Sequence, residues 1–121
     1  MEALRLPGTD ETPQVILDQK EGIFELSGRS LPYDAAEWFK PVSQWLETYA
    51  QNPNPSTTFA FKLEYFNTAS SKALIDLLYI LAAIPGTKVE WYFQDEDEDM
   101  EEAGEEFAEL VNIPFTFIAL D

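Results

Sequence analysis

The sequence predicts an α/β fold with one mostly parallel sheet, an antiparallel hairpin at its N-terminal edge, and helices packed on the sheet. Three observations carry this expectation. Strand-like segments are separated by single segments of helical period, in the order β-β-α-β-α-β-α-β, and strands joined through one helix form right-handed parallel crossovers. Only three residues separate the first two strand segments, which suits a hairpin. The 121 residues have the length of one ordinary domain, residues 1–121, and at 45% apolar content can fill a single core.

Each element has its own signal. "QVILD" (14–18) and "GIFELSG" (22–28) alternate or run apolar around the polar "QKE". In "LPYDAAEWFKPVSQWLETYAQ", Trp38, Phe39, Val42, Trp45, Leu46 and Tyr49 recur at helical spacing, with Asp34 as candidate N-cap. Pro41 is expected to kink this helix or to mark its true first turn. "NPNPS" (52–56) reads as a loop, and "TTFAFKLEYF" (57–66) as an aromatic-rich strand. A second helix follows and stops at Pro85-Gly86. "KVEWYFQ" (88–94) is a strand, "DEDMEEAGEEFAELV" (97–111) a helix whose acidic start suits its positive dipole end, and "PFTFIAL" (114–120) the last strand.

Composition excludes several functions. There is no cysteine, hence no disulfide, thiolate catalysis or Cys-ligated zinc. Histidine is absent too, which removes Ser-His-Asp and Cys-His arrangements and the ordinary imidazole base. No apolar run is long enough to span a bilayer, and "MEALRLPGTDETPQ" lacks the basic and apolar regions of a signal peptide, so a cytoplasmic location is expected. The net charge is −16, and from Asp95 onward there are 11 acids and no base. Such a chain repels phosphate backbones and anionic lipid, so neither nucleic acid nor membrane insertion is expected.

The densest polar cluster is "NTASS" (67–71), placed where a strand turns into a helix. Asn67 or Thr68 can cap the helix, with Ser70 and Ser71 alongside. A hydroxyl here can also be a phosphorylation site, because helix N-terminal amides accommodate an anion without unfolding the domain. At 100° per residue, Leu74, Leu77, Leu78, Leu81 and Ile84 face the sheet, while Lys72, Ile75, Asp76 and Tyr79 lie opposite, in line with Thr68. That mixture of apolar and charged residues suits a partner surface as well as a solvated face.

"DEDEDMEEAGEE" (95–106) places Asp95, Asp97, Asp99 and Glu106 at calcium-loop positions 1, 3, 5 and 12. Met100 stands where the loop requires glycine, and a strand precedes it instead of a helix, so these are weak metal candidates beside a solvated helix start. No carboxylate pair stands out for acid–base work, and no glycine-rich segment spells a phosphate cradle. No cofactor is expected. A divalent-cation-binding acidic domain remains as an alternative function, and a nucleotide-binding or carboxylate-based enzyme as a weaker one.

Five short segments, in order along nearly the whole chain, resemble the SiaC family of bacterial regulatory phosphoproteins, which have a STAS-like (anti-sigma-factor-antagonist-like) fold. They are "ETPQVILD", "GRSLP", "FKPVSQWLETY", "LEYFNTASSK" and "WYFQDEDEDMEEAGEEF". The resemblance implies a non-catalytic protein of a partner switch, with Thr68 as the phosphorylated residue. It also implies a cognate Ser/Thr kinase, a PP2C-type phosphatase, and an output protein such as a GGDEF-type diguanylate cyclase, bound and activated by the unphosphorylated form in c-di-GMP signalling and biofilm regulation. Two departures stand out: Ala69 replaces the serine usual after the threonine, and "LPYD" puts Tyr33 where the family usually has an acid.

Overall fold

The computed structural model describes residues 1–121, folded as three helices on one six-stranded sheet. In chain order these are β1 (Leu4–Leu6), β2 (Gln14–Asp18), β3 (Ile23–Ser30), α1 (Ala35–Tyr49), β4 (Thr57–Phe66), α2 (Thr68–Ala82), β5 (Thr87–Gln94), α3 (Glu98–Leu110) and β6 (Phe115–Leu120). Strand order across the sheet follows chain order, with β1, β2 and β3 antiparallel and β3 to β6 parallel. Each right-handed crossover steps one strand in the same direction, so all three helices fall on one face.

The core lies between that face and the helices. Leu26, Phe61 and Trp91 stand side by side in register, and all three are buried. Trp91 is the centre, with Phe61 and Phe107 rings each 5.5 Å from its own and Nε1 donating to the Met100 carbonyl at 2.9 Å. A Cβ on Gly104 would come within 2.5 Å of the Trp91 ring, so glycine is what lets α3 seat on it. On the opposite face Lys62 Nζ pairs with Glu25 at 2.8 Å and lies 4.9 Å from the Tyr92 ring centroid. The Glu25 hydrogen bond raises the Lys62 pKa, while burial followed by the Glu90 hydrogen bond raises that of Tyr92.

Three sequence expectations change. The hairpin β2–β3 forms as read, but β1 adds outside it, so the order gains one strand at its start and the hairpin is no longer the edge. "LRL" is too short for periodicity to reveal. Pairing with β2 makes it a strand, helped by Arg5 to Asp18 at 2.7 Å and by Trp45 Nε1 donating to the Glu2 carbonyl at 2.8 Å. The Glu21 amide, then Arg5, holds the Asp18 carboxyl below the usual carboxylate range. Pro41 is not in a first turn: Asp34 caps α1 by accepting from the Glu37 amide at 3.1 Å, and the helix continues through the exposed Pro41. Finally, β3 runs two residues past the expected end, through a register shift at Gly28, whose φ is +97°. That extension delivers Ser30 to the next site.

Candidate functional site: the β4–α2 junction

The cluster at 67–71 divides into distinct roles. Asn67 is the N-cap, with extended backbone and Oδ1 accepting from the Ser70 amide at 2.9 Å. Its own amide donates to the Ser30 carbonyl at 3.1 Å, and its carbonyl accepts from the Ser71 amide at 3.0 Å. Ser70 is fully buried; its Oγ donates to the Ser30 carbonyl at 3.0 Å and accepts from Ser30 Oγ at 2.8 Å. The end of β3 therefore fixes the start of α2. Ser71 is half-buried.

Thr68 is left over by this arrangement. It is the first helical residue, exposed, and its hydroxyl makes no hydrogen bond within the chain. Asn67, not Thr68, closes the helix end, so the hydroxyl has no capping duty. A group attached there meets solvent and the positive end of a 15-residue helix.

Thr68 also lines a groove of about 590 Å³ between the starts of α1 and α2, with Tyr33, Asp34, Ala36, Ala69 and Lys72. Farther along, Lys72, Ala73 and Asp76 meet Ala36, Phe39 and Ser43 of α1 across a second depression of about 190 Å³. Of the partner surface read from helical phase, Lys72, Asp76 and Tyr79 are exposed. Ile75 is half-buried and packs against the core, because a residue at that phase borders the buried leucine stripe. Tyr33, beside Thr68, is fully exposed.

Sequence reasoning missed Ser30 as a site residue, since its bond to Ser70 spans 40 residues. The only hint was a serine in the "GRSLP" turn.

The acidic segment does not form a metal loop. Asp97 caps α3, accepting from the Met100 amide at 3.1 Å, and the helix begins at the next residue. Asp99 and Glu106 are then held seven helical residues apart, about 10 Å along the axis. No group of three or more acidic side chains converges anywhere in the chain. No helix is long and apolar enough to cross a membrane.

Known proteins share this fold over nearly the whole chain. A profile described as "SiaC family regulatory phosphoprotein" matches residues 6–120. An uncharacterised protein of Pseudomonas aeruginosa strain UCBPP-PA14 is 32% identical, covering 100% of this chain and 99% of its own length. Apo-SiaC of Pseudomonas aeruginosa superimposes with a TM-score of 0.88 at 31% identity, over 98% of this chain and 100% of that one. A chain from the complex of the diguanylate cyclase SiaD with its activator SiaC, also from Pseudomonas aeruginosa, gives 0.87 at 30% identity, over 97% and 99%. Profile, sequence and fold agree across nearly the entire length: this chain belongs to the SiaC family of regulatory phosphoproteins.

Proposed function

We infer that this chain is a non-catalytic component of a cytoplasmic partner switch, and that phosphorylation of Thr68 gates its binding to a diguanylate cyclase. The observation that carries this is the isolation of the Thr68 hydroxyl: exposed, unbonded and relieved of capping by Asn67, while Ser70 is sealed in the core. A kinase transfers a phosphoryl group to Thr68 Oγ1, and a PP2C-type phosphatase returns the hydroxyl by hydrolysis. The chain itself offers neither His nor Cys for such chemistry. The unmodified form binds the cyclase and activates it, as SiaC is the activator of SiaD in the related complex.

The gating is electrostatic. A phosphate adds about −1.5 to −2 charges at the crest of α2, beside Lys72, Asp76 and Tyr79. A partner covering those residues must desolvate that charge, and a coupling of about 1–3 kcal/mol separates the two states by about 5- to 150-fold in affinity. Thr68→Ala is expected to bind and activate the cyclase constitutively, and Thr68→Glu to bind at least fivefold more weakly. Equal affinities of the two variants, measured by calorimetry against the cyclase, would refute the gating. Phosphopeptide mapping of protein from its native cells, with one phosphate at Thr68, checks the modification itself.

A further inference from the structure

The groove beside Thr68 contains a single cation. Its ionisable lining consists of Tyr33 and Asp34 from the segment leading into α1, Lys72 from α2, and Asp76 one turn farther along. Lys72 is exposed and unpaired; the chain's two ion pairs are Arg5–Asp18 and Lys62–Glu25. Four of the other six bases make no ion pair either, but Lys72 differs from them in lining this groove beside two carboxylates, neither of which it engages.

Helical spacing supplies the explanation. Lys72 lies four residues after Thr68 and four before Asp76, so either could reach it from the same face. The two directions are not equivalent: an anion N-terminal to lysine at this spacing pairs better than one C-terminal to it. Asp76 is on the weaker side, and no ion pair forms between them. A phosphate on Thr68 would occupy the stronger side with nearly twice the charge of a carboxylate.

We propose that Lys72 is the counter-ion captured by phosphorylated Thr68. Modification then changes the groove twice: it installs a dianion and withdraws the one cation that the unmodified surface offers to an acidic group on a partner. This rests on Thr68 being the modified residue, and it adds what the phosphate does once present. Lys72 also offsets the repulsion that Asp34 and Asp76 exert on the phosphate, so the modified helix start stays folded.

The test uses the full chain with phosphothreonine installed at position 68 by genetically encoded incorporation, so no kinase is required. Titration followed by ³¹P NMR reads the second ionisation of the phosphate. Relative to the parent phosphoprotein, Lys72→Gln is expected to raise that midpoint by about 0.3. Lys72→Arg restores it, and Asp76→Asn, which removes the competing carboxylate, lowers it. The Lys72→Gln effect should fade in 1 M salt, where the screening length is about 3 Å. An unchanged midpoint in Lys72→Gln overturns the pairing, as does an equal shift from Lys40→Gln, an exposed lysine of α1 outside the groove lining. The pairing and the gating fail separately. The titration is indifferent to whether cells modify Thr68, and phosphopeptide mapping is indifferent to Lys72.

Discussion

Ser70 Oγ donates to one atom of Ser30 and accepts from another, so the two serines are not equivalent under substitution. Ser70→Ala strands the Ser30 hydroxyl in the core without an acceptor, a penalty of about 1–3 kcal/mol. Ser30→Ala leaves Ser70 still donating to the main-chain carbonyl, and is expected to cost less. Urea denaturation of the two single variants and the double checks this order. The double variant should fall well short of the sum, since it removes donor and acceptor together. Ser70→Ala should also loosen the presentation of Thr68, because the helix start is then tied to β3 by the Asn67 amide alone. At this scale the sequence was half legible. A hydroxyl-rich strand-to-helix junction is visible in "NTASS", but four neighbouring groups can compete for one cap, and only the arrival of Ser30 decides which is buried and which is left free.

Among the elements, α3 depends most on a single position. Gly104 in a helix interior costs about 1 kcal/mol against alanine on intrinsic propensity, yet Gly104→Ala is expected to destabilise the protein by about 1–3 kcal/mol, because the added methyl must displace the buried Trp91 ring. A thermal melt, with Trp fluorescence reporting the indole environment, checks both sign and origin. The helices and the inner strands were legible because their periods run for ten residues or more, or their apolar stretches are bounded by Pro, Gly and Asn. The three-residue β1 was not, since only its pairing with β2 defines it. The acidic density of 95–106 reads as a solvated helix start with weak metal candidates, and a helix does start there. Nine acids within 95–106 match a ligand spacing by number, but a helix beginning at Glu98 holds them apart.

For the whole molecule, 11 acids from Asp95 onward without one base concentrate like charge on α3 and its flanks. Self-repulsion of a −16 chain opposes the folded state, and salt screens it. Raising ionic strength from 10 mM to 150 mM is therefore expected to increase the urea midpoint of unfolding. A partner presenting a basic surface to α3 would associate more slowly in the same salt, so stability and on-rate should then move in opposite directions. The one-faced placement of the helices follows from a strand order that element order and crossover handedness alone do not set, and the Lys62–Glu25–Tyr92 network on the bare face depends on cross-strand register, which no single segment encodes.

Strand order equal to chain order bears on how the protein is made. A strand leaving the ribosome finds its inner neighbour already synthesised, so no partly built sheet waits for a later segment to be inserted between two earlier ones. β1 to β3 can assemble as a meander, and each crossover then adds one helix and one strand at the growing edge. Trp91, the largest fully buried side chain, emerges before α3 and β6 bring Phe107 and Phe115 against it, and Phe66 waits for Phe107 as well. The nascent chain is thus most exposed to misassociation while β5 is complete and α3 is not, and the acidic run that follows Trp91 within four residues supplies repulsion during that interval.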